Sequence, residues 1–120
     1  MAKILVVDDS EIMRNILYVV LEKTGHEIVG NAANGMEALK LYGELNPELV
    51  LCDILMPDVD GITFLEEVLQ LDPKARVVMI SALGHGLKEK EARRCGAVGY
   101  ISKPFQPEDL LEEIRNALAE

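Results

Sequence analysis

Five residues in this 120-residue chain could do chemistry together: Asp8, Asp9, Asp53, Ser81 and Lys103. Each follows a short apolar run of the kind that forms a buried strand. Asp8-Asp9 follows Lys3–Val7, Asp53 follows Leu49–Cys52, Ser81 follows Arg76–Ile80, and Lys103 follows Gly99–Ser102. In a parallel α/β sheet, ligands bind at the carboxyl ends of the strands. If the strands bearing these residues are neighbours, three carboxylates, a hydroxyl and an ammonium share one cleft.

A lone carboxylate at a strand end is most simply a cap for the next loop, and a lone strand-end serine or lysine is equally ordinary. Three carboxylates together are not. Two of them about 5 Å apart repel by roughly 3 kcal/mol at an effective dielectric near 20. Three such pairs approach the roughly 5–15 kcal/mol that a whole domain has to spare. Lys103 offsets part; raised pKa values, solvent or a divalent cation must relieve the rest. Oxygen-only ligands with room for waters suit Mg²⁺. A hydroxyl and an ammonium beside such a metal are what the oxygens of a phosphoryl group require. The cluster therefore reads as a site where Asp53 meets a phosphoryl group.

Five strand–helix units must position these residues. The first helix opens at Asp9 or Ser10 as N-cap, carries Ile12, Met13, Ile16, Leu17, Val20 and Leu21 at helical spacing, and stops at Thr24-Gly25. Glu27–Ala32 is a weaker strand suited to a sheet edge. A second helix follows Asn34-Gly35, with Ala38, Leu41, Tyr42 and Leu45 on one face, and ends at Asn46-Pro47. Pro57 and Gly61 bracket the loop after Asp53. A third helix buries Phe64, Leu65, Val68 and Leu69 and stops near Asp72-Pro73. Between Gly84 and Arg94, charges leave only Leu87 and Ala92 as an apolar stripe, so a helix there is thinly anchored and comparatively mobile. The last helix opens at Gln106-Pro107-Glu108-Asp109 and turns Leu110, Leu111, Ile114, Ala117 and Leu118 inward. Strict alternation of strand and helix implies an α/β protein: a parallel five-stranded sheet with helices on both faces, a three-layer doubly wound (βα)5 domain over residues 1–120.

The composition excludes several roles. The net charge is −9, with 21 acids against 12 bases, which disfavours nucleic acid and anionic membranes as direct partners. No apolar run approaches the roughly 20 residues of a membrane span. Cys52 and Cys95 lack metal-ligand or disulfide spacing, and no signal peptide precedes the first strand; both features point to the cytoplasm. Asp58 and Asp60 read as solvated loop and turn residues rather than ligands, and His26 and His85, which show no partner pattern, as exposed and ordinary. Met13, Met36, Met56 and Met79 read as core or near-core fillers.

Taken together, Asp8-Asp9, Asp53 with Met56-Pro57 and Asp60-Gly61, Ser81-Ala82, and Tyr100 with Lys103-Pro104-Phe105 resemble the response-regulator receiver domain of two-component signalling. The resemblance spans essentially all 120 residues. Asp8-Asp9-Ser10 with Met13-Arg14, and Lys103 to Pro107, are most similar to the stand-alone chemotaxis regulators of that family. It implies a flavodoxin-like sheet in the order 2-1-3-4-5 and a cis Lys103–Pro104 bond. It also assigns roles. Asp53 would take a phosphoryl group from a sensor histidine kinase. Asp8, Asp9, Asp53 and the Leu55 backbone carbonyl would hold Mg²⁺, while Lys103 and Ser81 bind phosphoryl oxygens. Tyr100 would turn from outward to inward and remodel the surface of the fourth helix, fifth strand and fifth helix. That surface would control an output protein, either a flagellar motor switch or a chemotaxis phosphatase, from a monomer or weak dimer. The chain would be a switch that catalyses only its own phosphorylation and dephosphorylation.

Two positions near the cluster set an expectation of their own. Leu55 and Leu83, two residues past Asp53 and Ser81, lack any polar group to orient a hydrolytic water, so the phosphoryl form should be long-lived. Leu55 also counts against a haloacid-dehalogenase-type phosphohydrolase, which wants a second Asp there. The complete acidic cluster counts against a non-phosphorylated pseudo-receiver module. A receiver fragment of a regulator with a separate effector domain remains open.

Overall fold

A computed structural model describes residues 2–119. Five strands, β1 (Lys3–Val7), β2 (Glu27–Ala32), β3 (Leu49–Asp53), β4 (Val77–Ser81) and β5 (Gly99–Ser102), alternate with five helices. These are α1 (Glu11–Glu22), α2 (Gly35–Leu45), α3 (Gly61–Leu71), α4 (Leu87–Arg94) and α5 (Pro107–Ala119). All strands pair in parallel, in the order β2-β1-β3-β4-β5. This is the doubly wound, flavodoxin-like arrangement expected from the alternation and the resemblance. The weak strand Glu27–Ala32 lies at an edge, as its composition suggested.

The period-two alternation of a strand divides the core into two. Leu5, Val7, Val50, Cys52, Val77 and Met79 face α2, α3 and α4, packing with Ala38, Tyr42, Phe64, Leu65, Val68 and Ala92. Ile4, Val6, Leu49, Leu51, Val78 and Ile80 face α1 and α5, meeting Leu17, Leu21, Leu110, Ile114 and Ala117. Because β1, β3 and β4 have helices on both sides, they are buried throughout except at Lys3, which accounts for their unbroken apolar runs.

The helix ends are set by local chemistry. Ser10 caps α1 by accepting from the Met13 amide, Asn34 caps α2 by accepting from Glu37, and Asp60 caps α3 by accepting from Thr63. Gly96 carries the positive φ that follows α4.

Several side chains fall elsewhere than expected. Met36 is 68% exposed rather than near the core. Leu87, expected to form an apolar stripe with Ala92, is 83% exposed, because residues five apart on an α-helix point about 140° away from each other. On α1 the apolar spacing is wider than the core-facing stripe: Leu17 and Leu21 are buried, whereas Ile12 and Ile16 lie open. Neither histidine is solitary. His26 Nδ1 accepts from the Ala2 amide, and His85 pairs with Glu89 and packs edge-on against Tyr100. No helix among the described residues is long and apolar enough to cross a membrane.

Candidate functional site

β1, β3 and β4 are adjacent and end at the same edge, so Asp8, Asp53 and Ser81 emerge side by side, and β5 adds Lys103. Carboxylate oxygens of Asp8, Asp9 and Asp53 lie within 4.8 Å of one another. Asp8 and Asp53 are buried, while Asp9 faces solvent. Lys103 Nζ reaches between them, 3.2 Å from Asp8 Oδ2 and 3.5 Å from Asp53 Oδ2.

Each of these groups is held from behind. Asp8 Oδ1 accepts from the Ser10 amide at 2.9 Å, and the Asp8 carbonyl accepts from Arg14 Nη1 at 2.6 Å. The Lys103 amide donates to the Ser81 carbonyl at 2.7 Å, and the Lys103–Pro104 peptide is cis. Ser81 is fully buried, and its Oγ accepts from the Leu83 amide at 3.0 Å, which leaves the hydroxyl proton free to donate. Tyr100 stands inward, its hydroxyl donating to the Gly84 carbonyl in the β4–α4 loop. This is the rotamer that the resemblance implies for the phosphorylated form.

The loop carrying Leu55 is fastened at both ends. The Gly61 amide donates to the Ile54 carbonyl at 2.7 Å. A side chain at Gly61 would be impossible without moving backbone, since a Cβ there would sit 2.3 Å from the Asp53 carbonyl oxygen. That close approach is why Asp60-Gly61 follows the strand end. Leu55 and Leu83 both stand at the rim, 53% and 45% exposed.

The electrostatics reflect this crowding. Burial pushes the Asp53 carboxyl above the usual aspartate range, and Asp8 and Asp9 push it the same way. Lys103 and the Leu55 amide pull it back. One ammonium among three carboxylates leaves an excess of negative charge. Clustered, all-oxygen donors with one open to solvent fit a hard divalent cation such as Mg²⁺.

Three residues with a hand in the site were not legible in the sequence. Arg14, noticed there only as part of a resemblance, fastens the Asp8 backbone. Glu113 accepts from the Tyr100 amide at 3.1 Å, covering the exposed edge of β5. Asp58, read as a solvated loop residue, instead accepts from the Gly35 and Met36 amides across 23 and 22 residues of chain. Asp60 is the α3 N-cap. No periodicity or local motif announces the Asp58 and Glu113 contacts, which join residues 13 to 23 positions apart.

Residues 4–115 match the response regulator receiver domain. The chain is 44% identical over 116 residues to the chemotaxis protein CheY of Bacillus subtilis, covering 97% of each. It is 40% identical over 112 residues to CheY of Thermotoga maritima, covering 93% of each. Its structure is similar to the CheX–CheY–BeF3–Mg complex of Borrelia burgdorferi, with a TM-score of 0.94 and 35% identity over 98% of this chain and 90% of that one.

Proposed function

This chain belongs to the response regulator receiver family, a phosphoryl-accepting signalling switch, and we propose that Asp53 is its acceptor and chemotaxis-type signalling its setting. The observation that carries this reading is the convergence of two further carboxylates, Asp8 and Asp9, and one lysine on the buried Asp53.

In the proposed reaction an Asp53 carboxylate oxygen attacks the phosphorus of a phosphohistidine on a sensor kinase. The new P–O bond forms as the P–N bond breaks, and the electron pair leaves with the imidazole nitrogen, which takes a proton. Asp8, Asp9, Asp53 and the Leu55 carbonyl would hold Mg²⁺, which supplies neutralising charge for the phosphoryl oxygens. Lys103 is already poised over Asp53 and would pair with one phosphoryl oxygen. Ser81 would donate its free proton to another, drawing the β4–α4 loop inward. That loop contains Gly84, the acceptor of the Tyr100 hydroxyl, so loop position and Tyr100 rotamer move together. The α4–β5–α5 surface would carry the signal to a flagellar motor switch or a chemotaxis phosphatase, in the cytoplasm.

The exposed leucines at the rim add a kinetic expectation. Neither can orient a water for hydrolysis, so the aspartyl phosphate should outlast that of a Leu55→Asn, Leu83→Glu variant; equal decay rates would remove the idea. The site itself is tested by intact mass after incubation with phosphoramidate, with and without Mg²⁺, on wild type and Asp53→Asn. A Mg²⁺-dependent gain of one phosphoryl group, absent from the variant, is expected. No gain in a folded wild type would return the chain to a non-phosphorylated interaction module and strip Ser81 and Tyr100 of their switch roles.

A further inference from the structure

Asp58 lies outside the acidic cluster, yet it fastens the loop between β3 and α3 to a distant part of the chain. Its Oδ1 accepts from the Gly35 amide at 3.1 Å and its Oδ2 from the Met36 amide at 3.3 Å. These are the first two amides of α2, which helix geometry leaves without intrahelical partners. Asn34 takes the amide of Glu37, so Asp58 completes the capping of that end from another part of the chain. The charge also faces the positive end of the helix dipole. The Val59 amide, and then those of Gly35 and Met36, hold the Asp58 carboxyl below the usual range.

The contact is close as well as polar. A Cβ at Gly35 would lie 2.8 Å from Val59 Cβ and 3.0 Å from the Val59 carbonyl oxygen, so the loop rests on bare helix backbone. On the other side, the Gly61 amide closes the loop back onto Ile54. Only Leu55, Met56 and Pro57 separate Ile54 from Asp58, and the proline ring fixes one of the backbone torsions between them. The Leu55 peptide therefore has little freedom that does not also move Asp58.

We infer that Asp58 is a positioning residue for phosphoryl transfer: by fastening the β3–α3 loop to the N-terminus of α2, it fixes the Leu55 peptide. The Leu55 carbonyl is the proposed fourth oxygen for Mg²⁺, and the Leu55 amide is among the groups that favour an ionised Asp53. The inference rests on the reading of the site given above. It deepens that reading by naming a residue 22 or more positions from its partners as the part that holds a metal ligand in place.

The test is calorimetric titration of wild type, Asp58→Ala and Asp58→Asn with MgCl₂. It is run beside thermal melts and phosphoramidate labelling followed by intact mass. Loss of an outer-shell partner typically weakens metal binding 10–100-fold. Asp58→Ala should therefore bind Mg²⁺ about tenfold more weakly, and Asp58→Asn, which keeps one acceptor, about threefold more weakly. Wild-type Mg²⁺ affinity in Asp58→Ala, whatever its melting temperature, would make Asp58 a helix cap and nothing more. Equal losses in the two variants would assign the effect to charge and overturn positioning by hydrogen bonds. If Asp58→Ala does not fold, wild-type affinity in Asp58→Asn overturns the inference. A wild type that takes no phosphoryl group indicts the site reading instead; a labelled wild type with unchanged Mg²⁺ binding in the variants indicts this inference alone.

Discussion

The two flanks of the acidic cleft are built on opposite principles. On the β3–α3 side, five of the eleven residues of α3 are buried, Asp60 caps its start, and Gly61 presses backbone against backbone at the strand end. On the α4 side, only Ala92 of the eight helical residues is buried, and Gly86 offers no side-chain cap. Burying one large apolar side chain is worth about 1.5–3 kcal/mol, so α3 is held by several such increments and α4 by hardly one. The difference matches the work proposed for each flank. Holding a nucleophile and a metal ligand in register requires rigidity, whereas a surface that responds to a phosphoryl group must rearrange at low cost.

The largest expected effects are losses of stability confined to one flank. Leu65→Ala, which empties a fully buried position on α3, should cost about 3 kcal/mol in urea unfolding. Leu87→Ala, at an 83% exposed position, should cost under about 0.5 kcal/mol. Gly61→Ala should approach the first of these, because its Cβ would meet backbone that cannot step aside. It should also displace Asp53 and suppress labelling. A Leu87→Ala variant as unstable as Leu65→Ala would break the comparison outright.

Native-state hydrogen exchange sharpens it without mutation. Amides in the middle of α4 should exchange about 100-fold faster than those of α3, equivalent to about 2.7 kcal/mol of opening free energy. Equal protection would mean that α4 is anchored by contacts other than its one buried residue.

A smaller effect with a definite sign is expected at the cleft floor. Burial, only partly offset by Lys103, raises the Asp53 carboxyl above its usual range. An acid whose folded pKa is raised binds more protons folded than unfolded, so its ionised form lowers stability near neutral pH. That loss disappears as the pH falls through the raised pKa. Asp53→Asn should therefore melt higher than wild type at pH 7 without metal, by an amount on the order of 1 kcal/mol for a partly screened charge repulsion. Mg²⁺ should raise the melting temperature of wild type more than that of the variant. A variant less stable than wild type in the absence of Mg²⁺ would show that the Lys103 pairing outweighs burial.

What the sequence revealed, and what it did not, divides along the same line. Strand ends, helix starts and the cluster Asp8, Asp9, Asp53 and Lys103 were legible because apolar periodicity and turn residues are local signals, and because the parallel alternation leaves little choice about which edge the strand ends share. Asp58, Arg14 and Glu113 were not legible as fastenings, since their partners are backbone groups set by tertiary approach. Leu87 failed for a different reason: five residues from Ala92, it lies about 140° around the helix from it, so the two never formed one stripe. His85 illustrates the converse error, a residue lacking any sequence pattern that nonetheless touches both Glu89 and the inward Tyr100.

The smallest expected effect tests what holds α4 in place of a core. Glu89 pairs with His85 at 2.8 Å and with Arg93 at 2.9 Å, and Lys88 pairs with Glu91 at 3.1 Å, all on the helix surface or its approach. His85 first, and then Arg93, hold the Glu89 carboxyl below the usual glutamate range. A depressed folded pKa contributes stability that is complete above the unfolded value and lost as the pH falls through the folded one. Exposed pairs of this kind are worth only about 0.3–0.5 kcal/mol each. Glu89→Gln should therefore roughly double the exchange rates of α4 amides while leaving α3 unchanged. Wild type should loosen in the same way when acidified below the ordinary glutamate range, or in salt near 1 M, where the screening length shrinks to about 3 Å. Because Glu89 also steadies His85 against the Tyr100 ring, the variant should widen the range of Tyr100 rotamers seen by NMR. If Glu89→Gln instead altered α3 protection or Mg²⁺ affinity, the two flanks would be mechanically joined even without phosphorylation. The α4 surface would then be reporting on the metal site directly, with no need for Ser81 to draw the loop inward.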